Sequence, residues 1–95
     1  MPKKRQPREV WQKTRLRILN RDGYQCVRCT IVVTVSTAHI DHIVSGKHGK
    51  NTDDNLRTLC RRCHVLRIDF RHRGMIAKAL ADEIIPANYR ELMWE

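Results

Sequence analysis

Two matching cysteine pairs, Cys26-x-x-Cys29 and Cys60-x-x-Cys63, stand 30 residues apart in a chain of 95. They constrain the fold more than any other feature, because a domain this short buries little apolar surface and commonly needs a staple. Each C-x-x-C presents two thiolates from a tight turn, and two such knuckles complete a tetrahedron around Zn²⁺ with Zn–S bonds of about 2.3 Å. A site filled in this way is structural, since it keeps no open position for a substrate. Two disulfides or a redox C-x-x-C are the alternatives. The opening residues, "MPKKRQPREV", contain no apolar stretch of the length that secretion or membrane spanning requires. The expectation is therefore a cytoplasmic protein with reduced thiols and no membrane partner.

The chain carries 19 Lys and Arg against 10 Asp and Glu, a formal charge of +9. Four thiolates and one Zn²⁺ would lower this by two, so the excess survives. Its placement is uneven. Lys3, Lys4, Arg5, Arg8, Lys13, Arg15, Arg17 and Arg21 face only Glu9 in the first 21 residues, and six arginines face only Asp69 between positions 57 and 73. Beyond residue 81 the balance turns acidic, with Asp82, Glu83, Glu91 and Glu95. Clustered Lys and Arg of this kind suit a polyanion, above all nucleic acid, whose phosphates reward them through counterion release. A merely solvated charged face is the bland alternative.

Along the chain, "MPKKRQP" is a basic arm, residues 1–7. Residues 8–20 predict a moderately amphipathic helix with Trp11, Ile18 and Leu19 turned inward, closed by "RDG" with Gly23 free to take a positive φ. The first knuckle follows on a hairpin-like turn. From Ile31 to Val44 the β-branched residues predict one bent strand or two. "SGKHGKNTDDN" is a loop by composition, and "LRTL" leads into the second knuckle, where a helix is expected to run through "RRCHVLRIDFRHR" until Gly74 interrupts it. Ile76, Leu80 and Ile84 define another helix over 75–85 that Pro86 ends, and a last turn is expected to dock Tyr89, Leu92 or Trp94. The expected domains are the arm, a body over 8–74 and a helical extension over 75–95 packed on it.

"AHIDHI" sets two histidines and an aspartate where a strand should be heading for a core. Zinc would bring the segments around Cys29 and Cys60 together, and with them His64, which directly follows Cys63. The ordered set Asp41-His42, Asn55-Leu56 and Cys60-x-x-Cys63-His64 resembles the HNH endonuclease family, over roughly residues 11–68. The lead-in "WQKTRLRILNRDGYQCVRC" is similar to that of its small stand-alone members. The resemblance implies an α+β fold: a ββα-metal element of two strands and a helix around one divalent cation, braced by zinc on the two knuckles.

Carried over residue by residue, the resemblance makes Asp41 and His64 ligands of the catalytic cation and His42 the general base. Asn55 would hold the loop and orient His42, through its amide or its backbone. The implied reaction is phosphodiester hydrolysis in double-stranded DNA, leaving 5′-phosphate and 3′-hydroxyl ends. One such site cuts one strand, so a monomer would nick. The residue types suit these tasks: a neutral imidazole can take a proton near neutral pH, and a carboxylate with an imidazole leaves most of the coordination shell open to water and phosphate. Mg²⁺, Mn²⁺ or another divalent transition metal would serve. On a regular strand, however, Asp41 and His42 point to opposite faces, which makes His39 a rival ligand and calls for a strand end, bulge or twist near Asp41, while the resemblance implies that His39 is a supporting residue.

Arg67, three residues past His64, is a candidate for a phosphate contact or for stabilising transition-state charge. Lys47, His48, Lys50, Arg61 and Arg62 are candidate backbone contacts. Trp11, Phe70 and Trp94 are expected to pack. Small members of the family are often phage-encoded, some assisting the terminase in packaging, and the bacterial host cytoplasm would then be the compartment. A zinc-knuckle module that only binds nucleic acid explains the cysteines and charge equally well, but not Asp41, His42, Asn55 and His64 together. A third possibility is an adaptor domain that docks through the 75–85 helix.

Overall fold

The computed structural model describes residues 7–44, 49–68 and 73–95. Most of the basic arm, Lys47 and His48, and Phe70 and His72 lie outside these. Helix α1 spans Arg8–Arg21 and buries Thr14, Ile18 and Leu19, while Trp11 is half-buried. It ends as the sequence predicts. Gly23 has φ +67°; its N–H donates to the Asn20 carbonyl (3.1 Å) and that of Tyr24 to the Leu19 carbonyl (3.0 Å). These paired bonds satisfy carbonyls the last turn would orphan, and Tyr24 packs in one cluster with Leu19, Val33 and Ala38.

The first knuckle is a narrow hairpin closed by a Gln25–Val32 bridge, with the Cys26 N–H donating to the Ile31 carbonyl at 2.9 Å. The long strand expected from Ile31 to Val44 does not form. Instead Thr34 to Thr37 make a turn in which the Thr34 N–H donates to the Thr37 hydroxyl at 2.7 Å and the Ala38 N–H to the Thr34 carbonyl at 2.9 Å. Side-chain hydroxyls here offer the backbone local partners that compete with a ladder, and β-branching does not outweigh them. Val32 and Val35 are left exposed.

Only His39–His42 forms strand β1, paired antiparallel with β2, Leu56–Leu59, after a 3₁₀ turn at Asp53–Asn55. The register runs His39 to Leu59, Ile40 to Thr58, Asp41 to Arg57 and His42 to Leu56 without a bulge. Two contacts anchor β2: its Thr58 N–H donates to Asp22 Oδ2 at 2.9 Å, and the Val27 N–H of the first knuckle donates to the Thr58 carbonyl at 3.0 Å.

Helix α2, Arg61–Leu66, is capped by the Cys60 sulfur, which accepts from the Cys63 N–H. It stops seven residues earlier than the sequence suggested. Arg67 turns extended, because the 67–68 backbone pairs with the tail: the Ile68 N–H donates to the Trp94 carbonyl (2.9 Å) and the Trp94 N–H to the Leu66 carbonyl (3.1 Å). Helix α3, Arg73–Ala81, contains Gly74 rather than being interrupted by it, and ends four residues before the expected Ile85. Its Ala79 joins Val65, Leu66 and Ile85 in the main apolar cluster, against which Met75, Ile76, Leu80, Tyr89, Leu92 and Trp94 pack. A 3₁₀ turn at Tyr89–Leu92 then brings the tail back across α2. The result is an α+β fold of helices around a two-stranded antiparallel sheet. Among the described residues no helix is long and apolar enough to cross a membrane.

Candidate functional site

The hairpin supplies Cys26 and Cys29 and the start of α2 supplies Cys60 and Cys63, and all four sulfurs lie within 4.8 Å of one another. No disulfide joins them. Cys29 and Cys60 are 3.7 Å apart, which matches the edge, about 3.8 Å, of a sulfur tetrahedron drawn at Zn–S distances of about 2.3 Å. Burial pushes the Cys26 thiol up, but the backbone N–H groups of Cys29, Cys60 and Arg28 outweigh it and bring it down to about 7. Burial, reinforced by the neighbouring sulfurs, pushes Cys63 up. Four sulfurs that converge in this way are completed by a divalent cation, so the donor set fits zinc.

Asp41 sits at the centre of a second constellation, only 3% exposed. Its carboxylate accepts from Arg57 Nε at 2.9 Å and from Arg67 Nη1 at 3.0 and 3.1 Å, and its Oδ1 lies 3.4 Å from His64 Nε2. Burial raises the Asp41 carboxyl, but the His64 and Arg57 hydrogen bonds and the charge of Arg67 overcome this and hold it below its ordinary value. Two donors 3.4 Å apart suit one cation at metal–ligand distances near 2.1 Å, and a carboxylate with about four lone-pair sites keeps capacity beside its guanidiniums. Asp41 and His64 thus fit a divalent ion.

His39 shares the Asp41 face of β1, as strand alternation dictates. Its Nδ1 lies 2.9 Å from His64 Nδ1, with the two rings edge to face. Burial, then repulsion from His64, Arg61 and Arg15, lowers His39 to about 4, so it is neutral at physiological pH.

His42 is the last residue of β1 and points to the other face. The strand end is present, but no bulge or register shift turns His42 toward Asp41. Its Nε2 meets Asn51 Oδ1 at 2.7 Å, and its ring stacks on Trp11 at a centroid distance of 6.0 Å and 3° between planes. Trp11 therefore packs on a candidate site residue. Asn55 holds the loop without touching His42: its Nδ2 donates to the Val44 and Lys50 carbonyls (3.1 and 2.8 Å), its Oδ1 accepts from the Val44 N–H (2.8 Å), and its own carbonyl accepts from the Ile43 N–H (2.9 Å). That clamp folds Lys50 back toward β1, and Asn51 with it, so Asn55 acts on His42 at one remove.

Arg67, considered above as a phosphate contact, is instead 8% exposed and committed inward. Besides Asp41 it donates to the His42 carbonyl (2.6 Å), the Ile43 carbonyl and Glu95 Oε2 (2.8 Å). Arg61 pairs with Asp82 at 2.7 Å, whereas Lys50 and Arg62 are exposed. Three further participants come to light in the structure. Asn51 was one polar loop residue among many, Arg57 one arginine of six, and Glu95 reaches Arg57 (2.8 and 3.0 Å) and Arg67 only because the tail returns. Alternation along "LRTL" could have flagged Arg57 as facing Asp41.

Residues 26–69 match the family model of the HNH endonucleases, a stretch that contains all four cysteines, Asp41, His42, Asn55 and His64. No curated protein and no solved structure matches the chain.

Proposed function

Because residues 26–69 match the HNH endonuclease model, we propose that the protein is a divalent-cation-dependent DNA endonuclease that nicks one strand, with a structural zinc on its four cysteines. The observation that carries this reading is the 3.4 Å approach of His64, on α2, to Asp41, on the strand that ends at His42. Asp41 and His64 would hold the cation, which when bound supplies charge stabilisation for the phosphate and for the departing 3′ oxygen. His42, with Nε2 engaged by Asn51, has Nδ1 as the nitrogen that takes a proton from water. That water attacks phosphorus in line with the 3′ oxygen, leaving a 5′-phosphate and a 3′-hydroxyl. Asn55 and Asn51 act through His42 as positioning residues. Lys50 and Arg62, both exposed, are available to DNA phosphates. Phage packaging beside a terminase, in a bacterial cytoplasm, is the biological setting in keeping with small members of this class.

A second reading, a zinc-knuckle module that binds nucleic acid without cutting it, is favoured by one observation. The Asp41 carboxylate is already shared by two guanidiniums, as in a purely structural network. Supercoiled plasmid with Mg²⁺ or Mn²⁺ separates the two. Conversion to open circles by wild type, with a His42→Ala variant that binds but does not cut, is the expected result. Binding without cutting by both proteins under either metal would establish the second reading.

A further inference from the structure

His64 has a partner on each ring nitrogen: Nδ1 faces His39 Nδ1 at 2.9 Å and Nε2 faces Asp41 Oδ1 at 3.4 Å. A neutral imidazole carries one proton, so these two contacts cannot be chosen independently. If His64 is to bind a cation beside Asp41, the lone pair must be on Nε2 and the proton on Nδ1. Nδ1 then has to donate, and the group in front of it is His39. We infer that His39 is a positioning residue for metal binding, accepting the Nδ1–H of His64 and so fixing the tautomer whose Nε2 is directed at the Asp41 side.

This rests on the reading of Asp41 and His64 as ligands and adds to it a residue that neither the knuckles nor the Asp41-His42 pair identifies. His39 is suited to accept. It lies on the same strand face as Asp41, two residues earlier, is half-buried, and its Nδ1 stands 2.9 Å from His64 Nδ1, where a lone pair can receive the proton. A metal-bound histidine ordinarily gives its second N–H to a carboxylate or carbonyl, and removing that partner costs about 10- to 100-fold in metal affinity. Here a neutral imidazole takes that place. His39 is not itself a ligand in this scheme: among the described residues the cysteine set is the one group of three or more donors that converges, and His39, Asp41 and His64 do not close on a common point.

The test is Mn²⁺ binding to the zinc-loaded protein by calorimetry or electron paramagnetic resonance, with zinc content and near-UV circular dichroism confirming the fold. Four proteins are compared: wild type, His64→Ala, His39→Leu and His39→Asn. Asparagine places Oδ1 where His39 has Nδ1 and so keeps an acceptor, whereas leucine does not. The expected result is loss of binding in His64→Ala, a 10- to 100-fold weaker Kd in His39→Leu, and recovery to within about threefold in His39→Asn. If His64→Ala binds Mn²⁺ as wild type does, the ligand assignment fails and this inference falls with it. If His64→Ala loses binding while His39→Leu does not, the ligand assignment stands and the inference alone is overturned. Equal losses in His39→Leu and His39→Asn also overturn it, since an acceptor would then not be what His39 supplies.

Discussion

Under the proposed mechanism Asn51 has the most specific role at the residue scale, because its Oδ1, 2.7 Å from His42 Nε2, would decide which nitrogen of His42 serves as the base. Asn51→Ala would leave Nε2 without that partner and the ring with only Trp11 to orient it. A positioned base supplies about 10²- to 10⁴-fold in rate, so a loss of about tenfold or more in single-turnover nicking is expected at unchanged DNA affinity. Asn51→Asp keeps the acceptor and adds a negative charge, which favours the imidazolium. The acidic limb of its pH–rate profile should therefore move to higher pH, a displacement that a merely structural asparagine would not produce. A different prediction concerns Thr30, which sits at φ +69° in the turn of the first knuckle. A left-handed conformation costs a β-branched residue about 1–2 kcal/mol, part of which glycine returns as lost chain entropy. Thr30→Gly should accordingly raise the unfolding free energy measured in urea by a net of up to about 1 kcal/mol. The sequence shows the oddity of a threonine where a knuckle turn suits glycine. It does not show Asn51, which nothing distinguishes from its neighbour Thr52 until the clamp on Lys50 is seen.

Among the elements, the returning tail connects the most parts. Trp94 donates its indole N–H to the Cys63 carbonyl at 2.7 Å, packs on both the main cluster and the cysteine-centred one, and lies between the Arg28 and Arg57 guanidiniums at 4.7 and 4.9 Å. Truncating a well-packed tryptophan costs about 3–5 kcal/mol and a half-exposed one less, so Trp94→Ala is expected to lose about 2–4 kcal/mol in denaturant melts and to release zinc faster to a chromogenic chelator. Trp94→Phe, which keeps the ring but not the donor, should lose about 1–2 kcal/mol. The tail also shows why the element boundaries were only partly legible. Capping chemistry at Gly23 is local, and α1 ends where its residues say it should. The end of α2 is decided by a strand-like pairing with residues nearly 30 positions later, and no window of sequence around Arg67 contains that partner. In the same way the Ser and Thr hydroxyls of "TVST" close a turn on themselves, and β-propensity counted over Ile31 to Val44 does not weigh that competition.

For the molecule as a whole, small apolar clusters meet at the cysteines, since Cys26 and Cys63 are themselves core residues beside Leu59 and Trp94. A zinc ion held there would therefore form one cooperative unit with the core, and stripping it with a chelator is expected to unfold the chain, followed as loss of far-UV helicity in step with released metal. Within the zinc-loaded protein the pH dependence carries a further signature. His39 is lowered to about 4 from an ordinary 6.5, mainly by burial. Between these values the unfolded chain binds the proton and the folded one does not, so stability rises with pH across that window. It is complete above about 6.5 and is progressively lost as pH falls toward 4. The depressed carboxylates Asp22, Asp41 and Glu95 act in the same direction but lower down, below their ordinary 3.8 to 4.5. At pH 5.5 they are still ionised, and the zinc-linked thiols respond alike in wild type and in a His39 variant, so the difference between the two isolates the histidine. One pKa unit corresponds to about 1.4 kcal/mol, reduced by the partial exposure of His39. The stability difference between pH 7.5 and 5.5, measured from urea midpoints without added catalytic metal, should thus be smaller in His39→Asn than in wild type by about 1 kcal/mol. Identical slopes in the two proteins would show that His39 takes its proton as readily folded as unfolded, and that its burial beside His64 imposes no cost on the charged ring.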